Sequence, residues 1–375
     1  MSNISILIVD DDINKISTII STIKSEVSDV LSINQASNVQ EAIEYLQRKE
    51  FHLLITDLKM PLRRGDLPDN SGGLSLVKSL YRKRTNANVP MYIIGLTQFP
   101  ELKKDLKNVW KVWRFEASDE IWKLGIRDLI FHISLVKSRI NVEKLETVFV
   151  EGITDKIIID KGFDTFFPEK VSSIYVDAIK SGGGASWVER QLFIWAKSLS
   201  RKTDESGYIQ AIGLFDDDKS GNTIIENLRN TINVNSAEGS TFFIKKSCYK
   251  YSPILKSIKN KGITFPTTIE DVLSEHLWKI ALDNDYLIPR NLDKIIIDDS
   301  KINLKNSSAI NQKKLMNLGF TDTESIIILY KINDDSKKAF SSMVRKASKE
   351  SLMPLKFLIE DFLKTLKIDF DSLKE

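Results

Sequence analysis

The residues most suited to chemistry in this 375-residue chain are two groups of carboxylates, each placed where an apolar run ends. Asp10, Asp11 and Asp12 follow ILIV, Asp57 follows LLIT, and Thr97 closes IIGLT. Farther along, VFVEGITDKIIID (148–160) places Glu151 after one run and Asp155 four residues on. IGLFDDDKSGN (212–222) then places Asp216, Asp217 and Asp218 after another run. Carboxylates brought together repel one another, and their natural counter-charge is a hard divalent cation, Mg²⁺ or Mn²⁺. Residues i and i+2 of an extended segment project to the same side, so Asp216 and Asp218 can face one metal while Asp217 points elsewhere. Glu151, Asp155, Asp216 and Asp218 therefore suit metal-dependent phosphoryl transfer, in which the metal activates water, neutralises the scissile phosphate and stabilises the leaving oxygen.

The flanking patterns supply elements to position these acids. Over residues 1–138, buried-strand runs at Ile4–Val9, Leu53–Thr56 and Met91–Leu96 alternate with helical patterns at Ile13–Val27, Ala42–Leu46 and Leu74–Tyr81. Residues 61–73 (PLRRGDLPDNSGG) read as a loop. Over 145–285, strands are expected at Thr147–Val150, Ile174–Ala178, Ile209–Phe215 and Thr241–Ile244. Helices are expected from Asp155 and over Trp187–Leu199, with Gly152 permitting a tight turn. The expected class is α/β: two doubly wound parallel-sheet domains, 1–138 and 145–285, then a mostly helical region, 286–375. Open sheets of this kind bind ligands at the carboxyl ends of their strands, where both acidic groups fall.

Composition narrows the function. Lys and Arg number 54 against 51 Asp and Glu, a net +3, so no global basic field points to nucleic acid. Cys248 is the single cysteine, which excludes an internal disulfide and a cysteine-based zinc ribbon. The apolar run at the N-terminus is too short for a membrane span and lacks a signal-peptide pattern, so a cytoplasmic protein with no membrane partner is expected.

The first acidic group resembles that of a response-regulator receiver domain over roughly residues 1–135, with Met60-Pro61 and Gly73-Leu74 also matching around a lengthened loop. The resemblance implies that Asp10 and Asp11 help bind Mg²⁺, that Asp57 accepts a phosphoryl group, and that the Thr97 hydroxyl contacts the phosphate and propagates a switch. It also implies a histidine-kinase-like or other ATPase partner. Receivers carry a phosphate-pairing Lys at the end of the fifth strand. Here VWRFEASD (112–119) puts Glu116 about there, and the family register places neither Lys111 nor Arg114 at that position. The pocket is then either phosphorylated or kept as a docking module.

The second group resembles the TOPRIM domain over about residues 145–275, whose signatures are a Glu in an EGxxD context and a later DxD. Among TOPRIM hosts, a primase would need the zinc ribbon and a topoisomerase a longer chain. The OLD-type nucleases and the TOPRIM effectors of phage defence fit better. They carry an acidic segment and a lysine after DxD, matched here by Glu270 and Asp271 and by Lys245 and Lys246. A lysine there can stabilise charge on phosphate or be solvated strand-end charge, and the two acids can equally favour a helix start. Lys250, Tyr249 and Tyr251 are candidate contacts to DNA or RNA, lysine for phosphates and rings for bases. Trp110 and Trp113, among Lys103, Lys104, Lys107 and Lys111, read rather as core and interface residues. SGGGAS (181–186) lacks the Lys-Ser/Thr of a P-loop. The expected function is a Mg²⁺-dependent nuclease regulated through a receiver-like domain, in bacterial anti-phage defence, with homo-oligomers open. The alternatives are a non-catalytic phospho-regulated adaptor and a phosphoryl-transfer enzyme acting on a free nucleotide.

Overall fold

The computed structural model describes residues 4–26, 31–80, 86–102, 109–138, 143–179, 183–203, 207–303 and 310–369. Val27, Tyr81, Lys103, Lys104, Lys107, Ser181 and Gly182, named above, lie outside them. The chain divides into two compact units, Met1–Lys144 and Leu145–Glu375. Among the described residues, no helix is long and apolar enough to cross a membrane.

The first unit runs β1 (Ile4–Val9), α1 (Ile13–Glu26), β2 (Leu31–Ala36), α2 (Val39–Arg48), β3 (Leu53–Thr56), α3 (Gly72–Leu80), β4 (Tyr92–Thr97), β5 (Lys111–Arg114) and α4 (Glu120–Ser138). Its five strands are parallel in the order β2-β1-β3-β4-β5. β1, β3 and β4 are buried on both faces, which is why they read as near-continuous apolar runs. The edge strands β2 (LSINQA) and β5 (KVWR) lack such runs. The order reverses between β1 and β3, so their carboxyl ends open onto the crevice where α/β sheets bind ligands. The loop after β3 folds back through a bridge between Met60 and Asp69.

His52 stabilises this unit in a pH-dependent way. Its Nδ1 accepts the Ser5 N–H at 3.0 Å and lies 2.8 Å from the Ser5 hydroxyl. Burial, aided by the Lys137 charge, pushes the imidazole pKa down to about 4. The native ring thus stays neutral while the unfolded one takes a proton near pH 6.5. This contribution is whole above pH 6.5 and is lost as pH falls toward 4, on the order of 2 kcal/mol. His52→Gln should flatten that acid loss when amide exchange in β1 and β3 is followed against pH; an unchanged profile would refute it.

The second unit holds a parallel four-stranded sheet, β7-β6-β8-β9. Its order is β6 (Glu146–Phe149), α5 (Ile153–Phe166), β7 (Ile174–Asp177), α6 (Ala185–Ser198), β8 (Ala211–Asp216), α7 (Lys219–Thr231), β9 (Phe242–Ser247), α8 (Pro253–Asn260) and α9 (Glu275–Asp283). α10 (Gln312–Asn317), α11 (Asp322–Leu329), α12 (Lys337–Val344) and α13 (Met353–Leu366) follow. Two short antiparallel pairs, Ile263–Thr264 with Ile296–Ile297 and Leu287–Pro289 with Tyr330–Ile332, tie the later segments together.

Residues 286–375 are not a separate region, which corrects the boundary expected at 285. One apolar core runs from Val148 through Ile158 and Phe163 to Phe340, Phe362 and Leu366, because α12 and α13 pack on α5. A Cβ on Gly162 of α5 would lie 2.5 Å from Ile359 Cδ1 and 3.3 Å from Leu355 Cβ, so α13 packs closely against α5 at this point. Phe362 is fully buried in this core. Phe362→Ala should cost about 3–5 kcal/mol and lower the melting temperature of the second unit by roughly 10 °C. A melt unchanged in calorimetry would mean that the C-terminal helices stand apart.

Candidate functional site

In the first unit the acids converge as their positions implied. Asp10 follows β1 and is buried, Asp11 beside it is exposed, Asp57 follows β3 and is 8% exposed, and Thr97 ends β4, buried. One carboxylate oxygen from each of Asp10, Asp11 and Asp57 lies within 4.8 Å of the others, a tightness no other acid, His or Cys group reaches among the described residues. An all-carboxylate donor set of this spacing fits a hard cation such as Mg²⁺. Asp12 turns its Oδ1 to the amides of Asn14 and Lys15, at 2.9 and 3.2 Å, and starts α1. Thr97 Oγ1 accepts the Phe99 N–H at 3.1 Å. A Cβ on Gly73 would lie 2.1 Å from the Asp57 carbonyl oxygen, so glycine alone lets α3 begin against the loop that carries Asp57.

This pocket also holds a cation that the pattern of acids did not point to. Lys15 Nζ lies 2.7 Å from Asp10 Oδ2 and 3.2 Å from Asp57 Oδ2, its side chain 2% exposed. Burial raises the Asp10 pKa to about 6 even against the pull of Lys15. A signal was available in the sequence. A lysine in the first turn of a helix opposes the helix dipole, which favours a local partner, and DDD lies three to five residues before Lys15.

In the second unit, Glu151, Asp155, Asp216, Asp218 and Glu270 share one electrostatic environment. Glu151 lies just past β6, and its Oε1 accepts the Asp216 N–H at 3.0 Å, which joins the two strand ends. Its carbonyl accepts the Gly184 N–H at 2.7 Å, and a Cβ on Gly183 would lie 2.2 Å from that same oxygen. Asp155 Oδ2 accepts the Gly152 N–H at 2.9 Å and closes the first turn of α5. Gly152 is extended there (φ −146°), so the turn it was expected to permit does not use its conformational freedom. Asp218 caps α7 through the Gly221 N–H at 2.7 Å. Asp217 faces away, toward Lys246 at 3.2 Å, and its backbone pairs with Thr267. That pairing carries the next turn to the strand end and brings Glu270, 2% exposed, to the cluster.

The cluster has its own cation, likewise not indicated by the pattern of acids. Lys337, at the start of α12, lies 3.6 Å from Glu270 Oε1. Burial works against its charged form, but Glu270, Asp216, Asp155 and Asp334 outweigh burial and hold the ammonium protonated above the usual lysine range. Burial, and then mutual repulsion, raises the carboxylates: Asp155 to about 7, Asp216 well above its ordinary value, and Glu151 upward with Asp218 contributing. Glu270 Oε1 is buried with no hydrogen-bond partner. A buried oxygen without a hydrogen bond, among several acids that share a single ammonium, fits a hard cation, although this cluster is wider than the first.

Other expected residues lie elsewhere. β9 alternates, so Lys245 and Lys246 point to opposite faces. Lys245 pairs with Asp361 of α13 at 2.8 Å, and Lys246 with Asp217 and Asn222. Neither pairs with the clustered acids. Tyr249 and Tyr251 do not offer rings to bases, which corrects that expectation. Tyr249 is buried with its hydroxyl on the Phe265 backbone, and Tyr251 is 3% exposed with its hydroxyl 2.6 Å from Asp361. Lys250 joins the same carboxylate at 3.0 Å. Asp271 is tied to Arg290 and the Thr268 amide.

The response regulator receiver domain family matches residues 6–123, the stretch that holds Asp10, Asp57 and Thr97. Residues 6–123 are a receiver domain. An uncharacterized protein of Sinorhizobium fredii, y4jS, is 31% identical over 133 residues, 34% of this chain. The chain spans about a third, 32%, of that relative's length. Among solved structures, the receiver is similar to the response regulator TrrA of Thermotoga maritima in complex with Mg²⁺-BeF, at 23% identity over 34% of this chain and 98% of that one, TM-score 0.27. It is also similar to a receiver domain of Methylobacillus flagellatus, at 15% identity over 34% and 99%, TM-score 0.26. Receivers bind Mg²⁺ at an acidic pocket and serve regulation, and this receiver carries that pocket in Asp10, Asp11 and Asp57.

Proposed function

We propose that the chain is a receiver-controlled, Mg²⁺-dependent nuclease whose second unit is a TOPRIM-like phosphodiesterase. The observation that carries this reading is the meeting of Glu151, Asp155, Asp216 and Glu270 around Lys337, with a buried Glu270 oxygen that has no hydrogen bond and only the 3.6 Å contact to Lys337. Acids placed this way have no stabilising purpose of their own, since burial and repulsion both penalise their charge. Glu151, Asp155, Asp216 and Glu270 are the residues that would hold Mg²⁺ or Mn²⁺. The ion, when bound, supplies charge neutralisation at the phosphate and a more acidic water. Lys337 is placed to offset negative charge developing on a phosphate beside the acids. Asp218, as the cap of α7, fixes the geometry of the turn after β8.

On the regulatory side, Asp57 accepts a phosphoryl group from a histidine-kinase-like or other ATPase partner, and the receiver passes that state to the nuclease. By resemblance to OLD-type and phage-defence TOPRIM proteins, the setting is a bacterial anti-phage system, in the cytoplasm, with DNA or RNA as substrate. The test is incubation of the full chain with supercoiled plasmid, single-stranded DNA and structured RNA in Mg²⁺ or Mn²⁺, with and without beryllofluoride. Cleavage of at least one substrate is expected; no cleavage in either state contradicts the reading. The greater width of the second cluster favours one other reading, a phospho-regulated adaptor that binds without cutting.

A further inference from the structure

The end of β5 brings no cation to the receiver's acidic pocket. Arg114 and Glu116 pair with each other at 2.9 Å on the surface, and the Lys111 ammonium lies over the rings of Trp110 and Trp113. Phe115, between Arg114 and Glu116, is buried instead. The pocket nonetheless contains an ammonium, delivered from the other side. Lys15 reaches in from the first turn of α1, and its Nζ sits 2.7 Å from Asp10 Oδ2, 3.2 Å from Asp57 Oδ2 and 5.4 Å from the centre of the Phe115 ring. Burying an ammonium is costly unless it is paired, and a first-turn lysine also opposes the helix dipole. Two carboxylates and an aromatic face offset both costs at this point. The change at β5 and the placement of Lys15 are thus one arrangement: Phe115 occupies the strand end and lays its ring against a cation that comes from α1.

We propose that Lys15 is the phosphoryl-binding cation of this receiver. The proposal rests on the reading that Asp57 accepts a phosphoryl group. Asp57 Oδ1 is engaged by the Leu58 N–H at 2.6 Å, which leaves Oδ2, the oxygen facing Lys15, as the nucleophile. When Oδ2 attacks the phosphorus of an acyl phosphate or phosphoramidate donor, the new O–P bond forms as the donor's bond to phosphorus breaks. The donor's leaving group departs with that electron pair. Oδ2, now part of an acyl phosphate, gives up the charge that Lys15 paired with, and the ammonium moves to an oxygen on the phosphorus while keeping Asp10. Charge-assisted contacts of this kind are the strong ones, so losing the cation weakens the phosphorylated state selectively.

Calorimetric titration of the full chain with Mg²⁺ alone, and then with beryllofluoride in Mg²⁺, separates the possibilities. For Lys15→Met, beryllofluoride affinity is expected to fall at least tenfold while Mg²⁺ alone binds as tightly as before or more tightly. A variant that binds both more tightly would mean that Lys15 only fills the place of the metal, and it would overturn the proposal, as would unchanged beryllofluoride affinity. A wild-type chain that fails to bind beryllofluoride at all would overturn the reading of Asp57 and the proposal with it. Because Lys15→Met leaves two acids facing each other without a counter-charge, its folding is checked by circular dichroism and a second measurement uses the wild-type chain. The ¹⁵Nζ resonance of Lys15, assigned by its disappearance in Lys15→Arg, is expected to shift on adding beryllofluoride. A resonance that stays fixed while beryllofluoride binds would overturn the proposal whatever the fate of Lys15→Met.

Discussion

Glu151→Gln and Asp216→Asn are each expected to reduce metal-dependent cleavage on the order of 10²–10³-fold or more, with little loss of fold. Both side chains belong to a cluster whose charges burial and repulsion penalise, so neutralising either one relieves strain in the metal-free protein while removing a ligand from the loaded one. The two variants should therefore melt at the same temperature as the wild-type chain or higher, yet cut far more slowly. Lys337→Met separates roles within the same site. Loss of its charge leaves Glu270, Asp216 and Asp155 without their internal counter-ion, and turnover should fall by a similar factor while the requirement for Mg²⁺ persists. Quench-flow rates across a Mg²⁺ titration would check this, and cleavage unaffected by Glu151→Gln would remove the cluster from the chemistry. Asp361→Asn serves as a contrast. Despite its partial burial, Asp361 is held at a pKa of about 2 by Lys245, Tyr251 and Lys250, so its substitution costs fold stability rather than rate.

The second large effect is expected at Asp57. Asp57→Asn should abolish the response to beryllofluoride outright, because the substitution replaces one carboxylate oxygen with an amide NH2 and removes the charge of one of the three acids of the pocket. Thr97→Val, by contrast, should leave binding of the anion within a few-fold of wild type and suppress the rearrangement that follows, since Thr97 Oγ1 holds the Phe99 amide and not the acids. In a chain where the receiver governs cleavage, Asp57→Asn fixes the nuclease at its unphosphorylated rate whatever donor is supplied. Cleavage measured with and without beryllofluoride, in wild type and variant, checks both statements; an Asp57→Asn chain that still responds would contradict them.

The legible parts of this molecule were those fixed by local pattern. β1, β3 and β8 are buried in parallel sheets, so each is an apolar run stopped by an acid, and both sequence and structure place Asp10, Asp57 and Asp216 at those stops. Asp217 turns away from its neighbours as strand alternation requires. What the sequence concealed was set by tertiary packing. Lys337 lies in a polar helix far along the chain from Asp216, and only the docking of α12 on α5 brings it to Glu270. The same docking makes residues 286–375 part of the second core. Tyr249 and Tyr251 looked like exposed aromatics among lysines, but their hydroxyls find buried partners and their rings fill the core. Lys15 stood in plain view beside DDD and was overlooked because an isolated lysine on a helix ordinarily points to solvent.

Anomalous diffraction from crystals of the full chain soaked in Mn²⁺ distinguishes a metal-dependent hydrolytic centre at the second cluster from a mere acidic pocket. Anomalous density is expected among Glu151, Asp155, Asp216 and Glu270 as well as beside Asp10, Asp11 and Asp57, with the former lost in Glu151→Gln crystals. Density confined to the receiver pocket, with the second cluster closed upon Lys337, would contradict a hydrolytic centre there.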